Sequence, residues 1–447
     1  MIPISLYELS RALEPSEQVF SSVPVTGFST DSRTTAPGDV FFALVGENFD
    51  GHAFVKMAEA RGAVAAVVNH RQEGVSIAQI VVDDTGVAYG KAGAFCRSEF
   101  TGVLVMVVGS NGKTTTKEMC AAVLRAHYGD EAVVATEGNL NNQVGVPKTL
   151  QALDAQKRGA VIEAGINHVG EMAYLASWVR PDIVLVTNAQ REHQEFLNGV
   201  RESARENGLA IVGLSPHGTA VLPADDPEFG VWRDLARARS VQVLTYSTTP
   251  GVAADYVGEV RDGLLLINGQ PHKVQDLSAH TVHNMTGVYA AMLAAGIPQR
   301  VINKGLADFS HMRGRGARLK TPDGRLLVID EAYNANPDSV RATMAALATS
   351  PISPKIYVLG DMGEVGVSAE QMHRELGEYA REVGIDQLLT VGPLAALAAQ
   401  SFGEGAEAFE SIEAVAARLA NAHGVVTVKA SHFMRLDRLV DQLLQQS

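Results

Sequence analysis

The stretch Val103-Leu104-Val105-Met106-Val107-Val108-Gly109-Ser110-Asn111-Gly112-Lys113-Thr114-Thr115 decides how the whole chain is read. Its first half is an unbroken apolar run, as expected of a strand buried on both faces of a sheet. Its second half is a glycine turn ending in Gly-Lys-Thr. A helix-period segment follows, in which Met119, Val123 and Ala126 are expected to share one face. Strand, glycine turn, lysine and helix in that order make a phosphate-binding loop. The glycines let backbone N–H groups turn toward phosphate oxygens, and the helix N-terminus adds partial positive charge. Lys113 is placed for the β- and γ-phosphates and Thr114 for Mg2+. The common G-x-x-x-x-G-K-[ST] spacing would need glycine at position 107, where this chain has Val107, so the loop is a shorter variant. Gly109, Ser110, Asn111, Gly112, Lys113, Thr114 and Thr115 are therefore the expected nucleotide contacts. A loop of this kind specifies a nucleotide and leaves the reaction open.

Further short apolar runs alternate with helix-period segments on the C-terminal side: Ala160–Glu163, Asp182–Thr187, Ala220–Leu222 and Val241–Tyr246. Such runs predict a mainly parallel sheet with helices on both sides. A Gly/Arg-rich stretch, His311–Lys320, breaks the series. A second one follows, with strands expected at Leu326–Ile329, Ile356–Leu359, Leu388–Val391 and Val425–Val428, and Phe433–Leu444 as a closing helix. Before the loop, Val40–Val45 and Ala63–Val68 read as strands and Ala53–Arg61 as a short helix. Asp83-Asp84-Thr85 is followed by a helical stretch to Phe100. The expected fold is α/β in three domains: a small mixed α/β unit at 1–84, a central phosphate-loop domain with a mainly parallel sheet at 85–312, and a second doubly covered sheet at 313–447.

At 447 residues the chain is too long for one core. Its 46% hydrophobic and 19% charged residues are those of a globular protein, not a disordered one. A net charge of -13 excludes a general nucleic-acid binder. No apolar run is long enough to span a bilayer, and MIPISLYELS lacks the basic start and apolar block of a signal peptide, so no stable membrane association is expected. Two cysteines, Cys96 and Cys120, exclude a disulfide framework and fit the cytoplasm. A monomer is the expected state.

Several polar residues fall at the carboxyl ends of expected strands, where parallel sheets bind ligands. Glu163 closes one strand and is placed to hold Mg2+. His193, in the polar loop QREHQE, is either a second metal ligand or a solvated loop histidine. The asparagine-rich Gly138-Asn139-Leu140-Asn141-Asn142 suits hydrogen bonding to sugar or peptide, but by itself reads as a turn. Asp330, in DEAYNANP, suits a ribose hydroxyl or a turn with a helix cap; Pro337 then starts a helix with Ser339 in its first turn. Gly360-Asp361-Met362-Gly363-Glu364 follows its strand in the same way, with a helix from about Ala369.

Together these segments resemble the Mur ligase family, ATP-dependent amide-forming enzymes of peptidoglycan synthesis. The resemblance runs along nearly the whole chain. It rests on DSRTTAPGDVFFAL and GENFDGHAF, on GSNGKTTTKEM, GNLNNQVGVPKTL, IEAGINHVGEMAYLA and TNAQREHQEF, and on IDEAYNANPDSV and LGDMGEVG. It implies a UDP-binding first domain, a central ATPase and a Rossmann-like third domain. YNANP, GDMGE and GNLNN together are similar to the family branch whose substrates are UDP-N-acetylmuramoyl-tripeptide and D-alanyl-D-alanine. A related ligase with another amino-acid acceptor, of the Mur or folylpolyglutamate type, is the alternative. The resemblance further implies ATP and Mg2+ as cofactors, Lys113, Glu163 and His193 as catalytic residues, and Thr114, Glu163 and His193 as metal ligands. Asn284 and Arg315 would contact ATP, and Asp330, Asn334 and Asn336 would bind the nucleotide from the third domain. Ser29, Asp31, Ser32, Arg33, Asp50, Gly51 and His52 would lie near the UDP-sugar, and Asn139, Asn142, Asn167 and His168 near peptide or phosphate. Three departures stand out. Thr281 replaces the first asparagine of an H-N-x-x-N motif, so adenine recognition is expected to be weakened or rearranged. Asn207 stands where many relatives carry a carbamylated lysine, so no such group is expected and the second metal site must differ or be absent. His432 replaces the arginine of K-G-S-R.

Overall fold

The computed structural model describes residues 4–192, 197 and 199–445. The strand Val103–Val108 sits inside a sheet of nine described strands. From one edge these are Val133–Ala135, Gly159–Glu163, Val103–Val108, Ile183–Val186, Thr219–Pro223, Gln242–Ser247 and Tyr256–Arg261, all parallel. Leu264–Ile267 and Gln270–His272 then add antiparallel. Successive side chains of a strand point to opposite faces, and both faces here are covered. Leu104, Met106 and Val108 pack with Leu175, Trp178 and Trp232 from the helices Glu171–Val179 and Phe229–Arg239. Val105 and Val107 pack with Met119, Val123 and Met285 from the helices Lys113–Tyr128 and Ala279–Ala294. Double coverage is why the run reads as continuously apolar. The helix after the loop buries Met119, Cys120, Val123 and Leu124, whereas Ala126 is exposed, a correction to the expected face.

The C-terminal sheet repeats the plan. Leu326–Glu331, Gly424–Lys429, Lys355–Gly360, Gln387–Val391 and Ala406–Phe409 are parallel, and Ala317–Lys320 is an antiparallel edge. The final helix is Asp437–Gln445; Phe433 lies before it in a single 3-10 turn, not in the helix as expected. The N-terminal sheet is parallel in the order Gly27–Ser29, Asp39–Phe42, Ala65–Val68 and Ala78–Val81. The chain leaves that sheet after Phe42, earlier than the expected strand to Val45.

The helix Thr85–Glu99 joins the first two units. Asp84 caps it through bonds from the Gly86 and Val87 N–H groups at 2.7 and 2.9 Å. Ala88, Tyr89 and Ala92 complete the N-terminal core beside Phe42. Gly90 lies against Trp178, which a Cβ would meet at 2.1 Å, so only glycine permits this approach to the central unit. Among the described residues no helix is long and apolar enough to cross a membrane.

Candidate functional site

The carboxyl ends of the central and C-terminal sheets line a cavity of about 1100 Å³. Two helices of different sheets begin there, Lys113–Tyr128 and Pro337–Ala348. Helix N-termini of this kind favour anions. Asn336 caps the second helix, accepting from Ser339 N at 2.8 Å. Its amide also donates to Asn111 Oδ1 at 2.8 Å, so the cap residue grips the phosphate loop. Arg191 adds a two-pronged bond to Asp338, at 2.6 Å from Nη2 to Oδ1 and 3.1 Å from Nε to Oδ2. The C-terminal unit is thereby docked on the central one at the loop.

The loop itself is built by close approach. Gly109 has φ 124, and a Cβ there would stand 2.3 Å from Thr187 Oγ1. Gly112 has φ 79, and a Cβ there would meet the Asn284 amide at 2.8 Å. Both positions therefore need glycine for conformation and for space. The segment after Val186 holds the loop from outside. Ser110 N donates to Asn188 O at 3.1 Å, Asn111 N to Asn188 Oδ1 at 2.9 Å, and Gln190 N to Ser110 Oγ at 2.9 Å. Lys113 Nζ donates to Gly109 O at 2.6 Å, to Ser110 O at 3.0 Å and to Glu192 Oε2 at 3.2 Å. Asn207, buried, donates to Glu192 Oε1 at 2.9 Å and to Ser203 O at 3.0 Å, and accepts from Gly109 N at 3.2 Å. Where a modified lysine is absent, an amide ties a neighbouring carboxylate to the loop.

Glu163 is 1% exposed. Its Oε1 accepts from Asn141 Nδ2 at 2.7 Å, while Oε2 is buried without a hydrogen-bond partner. An orphaned carboxylate oxygen is costly unless something cationic meets it. Glu163 and Thr114 line the same cavity, and oxygen donors of this kind fit Mg2+. His193 lies outside the described residues. Asn139 and Asn167 line the cavity as well, but Asn142 does not. Its Oδ1 accepts from Val144 N and Gly145 N at 3.1 and 3.0 Å, closing a turn before the helix Gly145–Leu150. Asn141 lines the cavity in its place. His168 is exposed and outside the cavity lining, and its backbone donates to Glu171 at 3.1 Å.

On the C-terminal wall the Arg315 guanidinium lies 3.9 Å from the Tyr333 ring centre, and His432 packs on the same ring at 5.6 Å. Asn334 also lines the cavity; its carbonyl accepts from Lys429 Nζ at 2.9 Å. Lys429 pairs with Glu331 at 3.5 Å; burial lowers its ammonium pKa, against the raising effect of Glu331. Asp330 is turned away from the cavity, with Arg313 Nε on its Oδ2 at 2.8 Å, and Glu331 faces inward in its place. The reason is strand parity: Asp330 shares a face with Leu326 and Val328, and Glu331 lies on the other.

Asn284 lines the cavity beside the loop. Thr281, three residues earlier, does not: its hydroxyl donates to Asp276 Oδ2 at 2.8 Å. Asp276 also takes His311 at 3.1 Å and Arg318 at 3.0 Å, so the replaced asparagine position anchors the entry to the C-terminal unit. Burial alone would raise the Asp276 carboxyl. Bonds from His311, Ser278 N and Thr281, with the charge of Arg318, instead hold it well below the ordinary carboxylate range. A depressed folded pKa gives stability that is present above the unfolded value of about 3.9 and is lost as pH falls through the folded one. Asp276→Asn is expected to cost about 2–4 kcal/mol at neutral pH and to flatten the acid limb of the Tm–pH curve. An unchanged acid limb in thermal melts would refute this.

The first-unit residues form a separate group at the carboxyl ends of their own parallel strands. Ser29 Oγ donates to Asp31 O at 2.9 Å, and Ser32 Oγ contacts Met57 Sδ at 3.3 Å. Asp31 and Arg33 pair on the surface, with Arg33 bringing the Asp31 carboxyl down to about 2. Asp50 Oδ1 meets His52 Nδ1 at 2.5 Å and His52 stacks on His70; at Gly51 a Cβ would strike the Leu44 carbonyl at 2.7 Å. None of these lines the central cavity.

Among the residues missed by sequence reasoning are Glu192, Asn141, Glu331 and Asp276. For Glu331 and Asn141 the signal was present, as a one-residue shift of parity or turn position. For Glu192 and Asp276 it was not, because the charged partners Lys113, His311 and Arg318 come from distant segments.

Three family models match the chain: the Mur ligase middle domain over residues 107–295, the Mur ligase glutamate ligase domain over residues 314–432, and the Mur ligase family catalytic domain over residues 24–93. A relative from Escherichia coli named UDP-N-acetylmuramoyl-tripeptide--D-alanyl-D-alanine ligase is 33% identical over 398 residues, 88% of this chain and 86% of that protein. The crystal structure of MurF from Acinetobacter baumannii superposes with a TM-score of 0.89 at 30% identity, covering 99% of each chain. That of MurF ligase from Thermotoga maritima, in complex with ADP, gives a TM-score of 0.82 at 25% identity over 94% of this chain and 98% of that one.

Proposed function

The chain belongs to the Mur ligase family, and from that premise we propose that it forms the amide bond between UDP-N-acetylmuramoyl-tripeptide and D-alanyl-D-alanine at the expense of ATP. ATP phosphorylates the tripeptide's terminal carboxylate, releasing ADP. The dipeptide amine attacks the acyl carbon, loses a proton, and inorganic phosphate leaves. The observation that carries this reading is one cavity holding Lys113 on its glycine loop, the bare Glu163 oxygen and the docked helix of the C-terminal unit.

Lys113 and the backbone N–H groups at the start of its helix, Gly112 to Thr115, hold the β- and γ-phosphates and stabilise charge on the transferring phosphoryl group, while the N–H groups of Gly109, Ser110 and Asn111 fasten the loop to Asn207 and Asn188. Glu163 and Thr114 would hold Mg2+, which when bound would neutralise phosphate charge. Asn284 sits at the adenine end, and Arg315 with Asn334 and Asn336 brings the C-terminal unit onto ATP. Ser29, Asp31, Ser32 and Arg33, with Asp50, Gly51 and His52, hold the UDP-sugar. Asn139 and Asn167 face the peptide. Closing of the units over bound substrates would exclude water, which would otherwise hydrolyse an acyl phosphate. The reaction belongs in the cytoplasm, where ATP is available, and the working unit is a monomer, which sedimentation checks.

A coupled phosphate-release assay over a panel of UDP-sugar peptides and amine acceptors tests the function. Release is expected only when UDP-tripeptide and D-alanyl-D-alanine are both present, with the pentapeptide product seen by mass spectrometry. Turnover with a single amino acid or a folate in place of the dipeptide would sink it in favour of a related ligase.

A further inference from the structure

Lys117 lies one helical turn after Lys113, on the helix that opens at the phosphate loop, and it is fully buried. A buried ammonium is costly unless it is paired and hydrogen-bonded. Its charge is met by Glu118 on the same helix, and its Nζ donates to Thr136 O at 2.6 Å. Thr136 is the residue after the strand Val133–Ala135, and it is buried too. Its N–H still follows the ladder, donating to Val161 O at 3.0 Å. The next rung of a parallel ladder would run from Glu163 N to the Thr136 carbonyl. Here that carbonyl accepts from Lys117 instead, and the Thr136 hydroxyl accepts from Glu163 N at 3.0 Å. Glu163 is therefore held at two points, its amide by Thr136 and its Oε1 by Asn141 at 2.7 Å, with Oε2 left unpartnered. A chain of direct bonds thus runs from the helix of the phosphate-loop lysine to the residue that carries the bare carboxylate oxygen.

We propose that Lys117 and Thr136 are positioning residues for the divalent-cation site: together they set where Glu163 stands relative to the helix that starts at Lys113. Neither lines the cavity, and both act through Glu163. The inference rests on the reading of Glu163 as a cation ligand and deepens it. A rung made through a side chain makes the strand end depend on one hydroxyl where backbone would ordinarily serve. The residue at position 136 therefore matters to the ion and not only to the sheet.

Thr136→Val keeps the shape and removes the hydroxyl, and Thr136→Ser keeps the hydroxyl. Protein-bound Mn2+ is measured by EPR in the presence of adenylyl imidodiphosphate, and nucleotide affinity is measured by calorimetry without metal. In Thr136→Val the affinity for Mn2+ should fall by about tenfold, while metal-free nucleotide affinity stays within about twofold of wild type. In turnover, kcat should fall and KM for UDP-tripeptide should hold. Thr136→Ser should bind Mn2+ within about threefold of wild type. Lys117→Met, of similar length without the ammonium, should show the same split as Thr136→Val, and either of these two carries the test if the other does not fold. Unchanged Mn2+ affinity in a folded Thr136→Val or Lys117→Met overturns the inference. So does a loss that Thr136→Ser shares, or an equal loss of metal-free nucleotide. Glu163→Gln, measured beside them, separates the failures. If it alone loses Mn2+, only the inference falls; if it too binds Mn2+ as the wild type does, the cation-site reading of Glu163 falls with it.

Discussion

Lys113→Ala is expected to lower kcat/KM for phosphate release by about 10³-fold or more. The ammonium is the one side-chain cation on the loop, and its neighbours are backbone groups and Glu192. Removing it takes a charge from the transferring phosphoryl group, where the low dielectric of a walled cavity makes it most effective. The same change removes the ammonium's bonds to the Gly109 and Ser110 carbonyls and to Glu192, so stability should fall by about 1–3 kcal/mol. Thermal melting separates the two effects. A folded variant that keeps a tenth of wild-type turnover would show that Lys113 is not the phosphate-handling lysine.

That lysine was legible because the signal is local. Six apolar residues, a glycine turn and a helix are contiguous in sequence, and the strand Val103–Val108 and helix Lys113–Tyr128 stand where the pattern puts them. The other buried parallel strands were legible for the same reason. The meander Tyr256–His272 was not: Tyr256–Arg261 carries glycine, glutamate and arginine between its apolar residues, and Leu264–Ile267 and Gln270–His272 are too short to show a period. The short edge strand Val133–Ala135 offers too few residues to show a period.

Legibility of the site divides along the same line. Glu163 sits at the end of a strand that the sequence displays, whereas Asn284 and Asn336 were expected from the resemblance alone; all three line the cavity. Asp330 was read one residue out of phase with the inward-facing Glu331. Thr281 looked like a loss at the adenine site, and its bond to Asp276 gives the position a structural role instead. Asn207 looked like the loss of a metal group. Only the fold shows that it holds Glu192, since the two lie fifteen residues apart in sequence and meet through a direct side-chain bond beside Gly109. What sequence could not supply was which polar groups meet across segments, because hydrogen-bond partners leave no periodicity.

Glu163→Gln is the second large effect, and its logic differs. Gln retains an oxygen to accept from Asn141, the bond now made at 2.7 Å, so the loop Gly138–Asn142 should keep its position. The change falls on Oε2, the buried atom without a partner, which becomes an amide donor. Removing an unpartnered buried charge should leave stability unchanged or higher, so the variant is expected to melt at or above the wild-type temperature. Catalysis should move the other way. With one anionic oxygen gone from the cation site, Mn2+ affinity should drop and phosphate release should fall by about 10²–10⁴-fold. Opposite movement of stability and turnover is the signature of a group kept for its ligand and not for the fold. Turnover within threefold of wild type in a well-folded Glu163→Gln would place the cation elsewhere.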